Sequence, residues 1–360
     1  MHTASSPFHA SVAARVARRA CACALAVLLA ACAPLRPREA PLVLHGPTMG
    51  TSWTVKLALP PGRDAEGLRR AVQDELDRVV AQMSTYEPGS DLSRYNRAPA
   101  GTWQPLPAGF YTVLAYALEL ARDTDGAYDP TVGPLVNAWG FGPGAPAAYR
   151  VPTGAELDAA RARVGWRRVQ LDPATRSALQ PGGTYLDLSS VAKGYATDQV
   201  ARRLRREGVD GFLVDVGGEL RAHGRRPDGG DWQVGIERPG AAAGAPDSPD
   251  AIARVVTLRD RAIATSGDYR HAFEDAGLRY SHHIDPRSGV PVGHRIASVT
   301  TIDADGMRAD SVGTALMVLG PERGLAWARE RGLAVLMILH DGERFIERMT
   351  PAFEAVLDPP

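Results

Sequence analysis

The sequence predicts an α+β protein built on antiparallel β-sheet. Three features point there. Strand-like and helix-like segments are interspersed, and several strand-like runs follow one another directly, which argues against a continuous βαβ series. The C-terminal region closes on a hairpin pattern, Leu333–Leu339 and Glu343–Arg348 around Asp341-Gly342. Gly (37) and Pro (28) together make about 18% of 360 residues, against a usual ~12%, so loops are many and long helical bundles are disfavoured.

The first 31 residues read as an address. Arg15, Arg18 and Arg19 form a basic n-region, and Ala20 to Ala31 is a small or apolar run of 12 residues, too short to span a bilayer and of signal-peptide length. The run ends Leu29-Ala30-Ala31-Cys32, the pattern of a bacterial lipobox in which Cys32 is lipidated. A plain secretory signal cut near Ala31 is the other reading; the position of Cys32 directly after the apolar run favours lipidation. All three cysteines (Cys21, Cys23, Cys32) lie here, so the mature chain has neither an internal disulfide nor a cysteine metal site. It is expected in the bacterial cell envelope, anchored by acyl chains on the periplasmic side of a membrane, without a transmembrane helix. Residues 32–45, with Pro34, Pro37 and Pro41, read as a stiff linker before a single domain over 46–360.

Within that domain Gly50–Leu59 alternates as a strand. Asp64–Met83 carries Leu68, Val72, Leu76, Val79 and Val80 at helical spacing, and Leu106–Arg122 is a second helix. Gly126–Gly144 is rich in Gly and Pro and reads as loop. Thr153–Val164 is a short helix with Thr153 as N-cap. Thr184–Leu188 reads as a short strand, Ser190–Glu207 as a helix and Gly211–Val216 as a buried strand. Trp232–Glu237 and Arg254–Leu258 are strands flanking a low-complexity loop, Pro239–Asp250. Ile296–Ile302 is a strand; Met307–Val318 and Gly324–Arg331 are helices before the closing hairpin. No internal repeat is visible.

Charge excludes one class of function. Lys+Arg and Asp+Glu are both 41, so no basic surplus marks a nucleic-acid binder.

Four segments could carry chemistry. In TYLDLSSVAKGYATD, a strand leads through Asp187, Ser189 and Ser190 into a helix whose first turn holds Lys193 and Gly194. Free N–H groups at a helix start, with a lysine beside them, suit a phosphate; the P-loop spacing is missing, and a serine-capped helix with a solvated lysine is the plain alternative. The chain has 39 arginines and only two lysines, Lys56 and Lys193, which suggests a role at 193 for a compact ammonium that a planar guanidinium cannot fill. In ADSVGTA, Asp310 and Thr314 stand i,i+4 on one helix face and offer hard oxygens suited to Mg²⁺; from spacing alone, Thr314 packed in the core and Asp310 solvated is the better reading. In YSHHIDPRSGVP, His282 or His283 could act as a general base, although adjacent side chains diverge in a strand and each suits a structural role equally well. In GAYDPTVGPLVNAWGFG, Tyr128, Trp139 and Phe141 could flank a planar ring or simply pack.

Taken in order, TMGTSW, STYEPGSDLSRYN, GAYDPTVGPLVNAWGFG, DLSSVAKGYATD, VDVGGELRAHG, WQVGIERP, ATSGDY, HHIDPRSGVP and ADSVGTA resemble the ApbE family, the FAD:protein FMN transferases, over nearly all of the mature chain. The resemblance implies a two-lobed α+β fold of T-fold-like antiparallel sheets with packed helices and FAD in the cleft between lobes. It implies an FAD site lined by Met49, Tyr86, Ala127, Tyr128, Asp129, Asp187, Lys193 and Ile284. Mg²⁺ would be held by Asp310, Thr314 and the backbone carbonyl of Ser190, and His282, three residues before the Asp of Asp-Pro, would be the base. The implied reaction moves FMN from FAD to a threonine hydroxyl of an acceptor flavoprotein and releases AMP. The implied acceptors are subunits of membrane redox complexes such as the sodium-pumping NADH:quinone reductase or its Rnf relative. Departures are Ser288 for threonine in the Asp-Pro turn, Glu219 where Asn or Asp is common, and Ser311 and Gly313 on the metal helix. An FAD pyrophosphatase yielding FMN and AMP, and a non-catalytic FAD-binding lipoprotein, are the rival functions.

Overall fold

A computed structural model describes residues 40–143, 149–240, 251–268, 272–342 and 344–357. The leader, Cys32 and linker residues 33–39 lie outside the described residues, as does 241–250 of the low-complexity loop. Residues Pro41–Pro360 form one compact unit.

The chain begins with β1 (Leu42–Thr48) and β2 (Thr51–Leu57), followed by α1 (Ala65–Met83), α2 (Asp91–Arg97), β3 (Thr102–Pro105), α3 (Ala108–Asp123), α4 (Gly133–Ala138) and α5 (Gly154–Arg161). Next come β4 (Leu171–Asp172), β5 (Ser177–Gln180), α6 (Ala192–Arg206), β6 (Phe212–Val216), β7 (Glu219–His223), β8 (Trp232–Glu237) and β9 (Ile252–Leu258). The last part holds β10 (Ala262–Gly267), β11 (Ala272–Asp275), β12 (Leu278–Ser281), β13 (Ile296–Asp303), α7 (Gly306–Leu319), α8 (Pro321–Glu330), β14 (Ala334–Asp341), β15 (Arg344–Met349) and α9 (Pro351–Glu354). Eight strands make one sheet in the order β1-β2-β6-β7-β10-β13-β14-β15, and every named pair in it is antiparallel.

The two faces of this sheet are told apart by the period-2 alternation of its strands. Trp53, Val55 and Leu57, with Phe212, Val214, Val216, Val335 and Met337, turn to one face and share a core with Leu68, Phe110, Val200 and Leu316 of α1, α3, α6 and α7. Leu213, Ala222, Ile263, Ile302, Leu336 and Ile338 turn to the other, where the β8–β9 hairpin covers them with Trp232, Val234, Ile236 and Val256. Because β14 is covered on both faces, its sequence is a continuous apolar run rather than an alternation.

The expected α+β class with antiparallel sheet is what the chain forms. Several elements differ from the sequence reading. Four residues of the expected linker are already strand: Leu42 pairs with Leu57, and Leu44 is buried. Thr184–Leu188 is extended but joins no ladder; the Asn96 side chain stands in for a neighbouring strand, accepting from Leu186 N–H at 2.8 Å and donating to its carbonyl at 2.9 Å. The following helix starts at Ala192 rather than Ser190, and no side chain of its own caps it. The Gly/Pro-rich stretch contains the short helix α4. Strands β7 and β10 and the β11–β12 hairpin carry only a weak sequence signal because each is short or bounded by polar turns. No helix among the described residues is long and apolar enough to cross a membrane.

Candidate active site

Two tight hairpin turns and one helix–helix contact build the site. Between β1 and β2, Met49 and Gly50 both have positive φ (47° and 72°), the signature of a type I′ turn. A methionine in that region is strained, and such strain concentrates at functional sites. Between β6 and β7, Gly217 and Gly218 (φ 60° and 98°) make the second turn and deliver Glu219 at the first position of β7.

The α6–α7 contact is set by glycine. A Cβ on Gly194 would collide with the Gly306 carbonyl and lie 2.6 Å from Asp310 Cβ, so only glycine permits this approach. Asp198 of α6 accepts from the N–H groups of Gly306 and Met307 at 2.9 and 3.1 Å, capping α7 from a neighbouring helix. One turn on, Asp310 Oδ2 accepts the Gly194 N–H at 2.9 Å. The anion-binding start of α6 expected from sequence is thus already engaged by a carboxylate of the protein itself. Helical periodicity would pair that N–H with the Ser190 carbonyl; among the described residues no backbone N–H is bonded to this carbonyl. Gly313, a weak helix residue, is explained by the same close packing: a Cβ there would lie 2.8 Å from Ser266 Oγ on β10.

Lys193 points into the same space and donates to both oxygens of Glu219 at 2.7 and 2.8 Å. Glu219 and Asp310 are both nearly buried, 5% exposed each. Burial, and then the charge of Asp310, pushes the Glu219 carboxyl up to about 8 against the pull of Lys193. Burial likewise raises Asp310, opposed by Lys193 and by the Gly194 N–H. Two carboxyl groups face one ammonium in a desolvated corner, and a divalent cation would relieve that excess of negative charge. The donor set suits a hard cation: the remaining Asp310 oxygen, the Thr314 hydroxyl one turn along α7, and the Ser190 carbonyl.

This corner opens into a cavity of about 1310 Å³. Nine expected positions line it: Met49, Tyr86, Asp187, Ser190, Lys193, His282, Ile284, Asp310 and Thr314. Ala127, Tyr128 and Asp129 do not; all three are buried behind the wall. The Tyr128 hydroxyl accepts from Ser190 Oγ at 3.2 Å, and Asp129 accepts from Thr131 N–H and Trp166 N–H, bracing the loop. They act behind the cavity because the Gly126–Pro130 turn faces the core.

Two further expectations change. His282 and His283 do not diverge; their ring centroids are 4.0 Å apart, since the segment leaves β12 before reaching them and lacks the alternation of a strand. Both line the cavity, His282 half-buried and His283 buried. Of the three candidate ring-flanking aromatics only Phe141 reaches the cavity; Trp139 packs away from it and donates its Nε1–H to the Gly289 carbonyl at 2.9 Å. Glu219 is the residue whose role sequence reasoning missed, and part of the signal was there: Gly217-Gly218 directly after the apolar run Phe212–Val216 suits a hairpin turn, which fixes where the next side chain goes.

The profile of the ApbE family matches residues 49–337. The chain is 41% identical over 332 residues to the FAD:protein FMN transferase of Vibrio cholerae, covering 92% of this chain and 96% of that protein. It is 39% identical over 346 residues to the FAD:protein FMN transferase of Salmonella typhimurium, covering 94% and 97%. The crystal structure of the Pseudomonas stutzeri flavinyl transferase ApbE in its apo form superposes with a TM-score of 0.79 at 40% identity, over 89% of this chain and 98% of that one.

Proposed function

The chain belongs to the ApbE family, and on that premise we propose that it is an FAD:protein FMN transferase, a flavinyltransferase that takes FAD as substrate and a protein as acceptor. The observation that carries the reading is the Lys193–Glu219–Asp310 cluster opening into a cavity of about 1310 Å³ in a chain so closely similar to named transferases.

The chemistry is transfer of a phosphoryl-linked flavin. The hydroxyl oxygen of an acceptor threonine attacks the FMN phosphorus of FAD, a P–O bond forms, the bond to the bridging oxygen breaks, and AMP leaves with that oxygen. His282 takes the hydroxyl proton; its lining of the cavity, with Phe141 edge-on to its ring at 6.3 Å, supports that role. Lys193, held by Glu219, sets a positive charge where the diphosphate lies. Asp310, Thr314 and the Ser190 carbonyl would hold Mg²⁺, which when bound neutralises charge on the diphosphate. Met49, Tyr86, Asp187 and Ile284 supply the remaining wall for the nucleotide. Ahead of the domain, a signal peptide over residues 1–31 and lipidation at Cys32 would tether the enzyme to the periplasmic side of a membrane, within reach of the flavoprotein subunits of membrane redox complexes.

Incubation with FAD, Mg²⁺ and the soluble domain of a flavin-carrying subunit of the sodium-pumping NADH:quinone reductase, followed by intact mass, tests this. The expected result is an acceptor gain equal to FMN with matching AMP release. FMN and AMP produced equally fast without acceptor would make the protein a pyrophosphatase, and no AMP under any condition would make it a carrier. Asp310→Ala is expected to abolish the Mg²⁺-dependent transfer while circular dichroism shows the fold intact; full activity of that variant in chelator would refute the metal assignment.

A further inference from the structure

The chain writes its basic residues as arginine 39 times and as lysine twice, and both lysines line the same cavity. Lys193 is accounted for by the phosphate chemistry; Lys56 is not. It stands on β2 opposite Leu213 of β6, on the sheet face that looks away from Trp53, Val55 and Leu57. The residue is exposed, and solubility alone would be served equally well by another arginine.

Lys56 is too far from the phosphate corner to act there. The corner lies at the turn end of β2: a Cβ on Gly217 would fall 2.6 Å from Thr51 Cγ2 and 3.6 Å from Lys193 Cδ. Lys56 is five residues farther along β2, about 16 Å at ~3.3 Å per residue, which is more than a lysine stem can cover. FAD offers no second anion for it. Near neutral pH the charge of FAD is all on the diphosphate, while the adenine, the flavin rings and the ribityl hydroxyls are neutral. No carboxylate among the described residues pairs with Lys56 either. Asp215, diagonal to it across the β2–β6 pair, accepts the Gly218 N–H at 2.9 Å.

The remaining source of an anion is the second substrate, a polypeptide. Resting on the transferase reading, we propose that Lys56 is the acceptor contact of the cavity: its ammonium takes a carboxylate of the protein substrate and so selects the segment that brings its hydroxyl to the flavin phosphate. A charge at the exposed rim of a site acts on encounter and on the choice of partner more than on the reacting atoms. Lys56 is thus a specificity residue, and bond making and breaking stay in the corner around Lys193.

The test measures steady-state FMN transfer by the complete enzyme with FAD, Mg²⁺ and the reductase acceptor domain described above. Lys56→Gln is expected to raise the acceptor KM about tenfold, with kcat and the FAD KM held within about twofold. A set of acceptor domains, each with one carboxylate near the target threonine changed to lysine, then locates the partner. One of them is expected to show the same rise of about tenfold with the parent enzyme and to recover with Lys56→Glu, a coupling that only a direct pair produces. An acceptor KM unchanged in Lys56→Gln overturns the proposal and leaves the transferase reading standing. An equal or larger rise in the FAD KM assigns Lys56 to the nucleotide and overturns it as well. Absence of any FMN transfer by the parent removes the transferase reading, and this inference falls with it. Should the Lys56 variants not fold, the acceptor set on the parent enzyme decides alone, and a set in which no charge reversal raises KM overturns the proposal.

Discussion

Lys193 shows how much a single side chain decides in this molecule. It is one of two lysines among 41 basic residues, and its ammonium meets both oxygens of a nearly buried Glu219. A guanidinium is planar and broader, and cannot occupy the same point against Glu219. Lys193→Arg is therefore expected to keep the charge yet lower kcat/KM by about a hundredfold, the scale seen when one donor to a developing anion is lost. Steady-state kinetics with thermal melting checks it: a parental rate in a folded variant would remove the point-charge role. At this scale the sequence was partly legible. The scarcity of lysine singled out position 193, and the i,i+4 spacing put Asp310 and Thr314 on one face. Spacing alone, however, favoured a packed Thr314 and a solvated Asp310. What overturns that preference is the burial of Asp310 and its bond to Gly194 N–H, a contact between residues 116 positions apart.

At the scale of elements, the junction of α6 and α7 is the structural centre of the site. Gly194, Gly306 and Gly313 are each placed where a Cβ would meet another element, and Asp198 caps the helix that carries Asp310 and Thr314. Gly194→Ala is expected to destabilise the fold by about 1–3 kcal/mol through overpacking. It should also weaken cation binding, because separating the helices pulls Asp310 off the Gly194 N–H. Urea unfolding and Mg²⁺ titration of the same variant test both halves; unchanged stability would mean the helices can yield without cost. Element existence was well read where periodicity is long, as in α1, α6 and α7. Boundaries were read less well, and for physical reasons. The α6 start moved by two residues because its capping group comes from α7, and Thr184–Leu188 forms no ladder because Asn96 satisfies its backbone.

At the scale of the whole molecule, the cavity is where separate parts of one chain contribute a wall each, from Met49 near the start to Thr314 near the end. Binding that ties such distant segments together should appear in global stability. Mg²⁺ at about 100 times its Kd is expected to add about 2.7 kcal/mol to the unfolding free energy. The accompanying rise in Tm should vanish in Asp310→Ala. Differential scanning calorimetry with and without Mg²⁺ reads this in the absence of any reaction; equal shifts in parent and variant would place the cation elsewhere.

By itself the sequence determined the α+β class, the antiparallel pairing and the long helices, because these follow from periodicity, turn chemistry and residue type, which are local; most of the residues that meet at the cavity were named by the family resemblance. Only the tertiary structure decided that the start of α6 holds Asp310, that Glu219 clasps Lys193, and that Ala127, Tyr128 and Asp129 stand behind the wall. Each of these depends on contacts between segments far apart in the chain, brought together by an eight-stranded sheet that runs in chain order but skips the strands of the smaller sheets, and no local pattern encodes which strands are skipped.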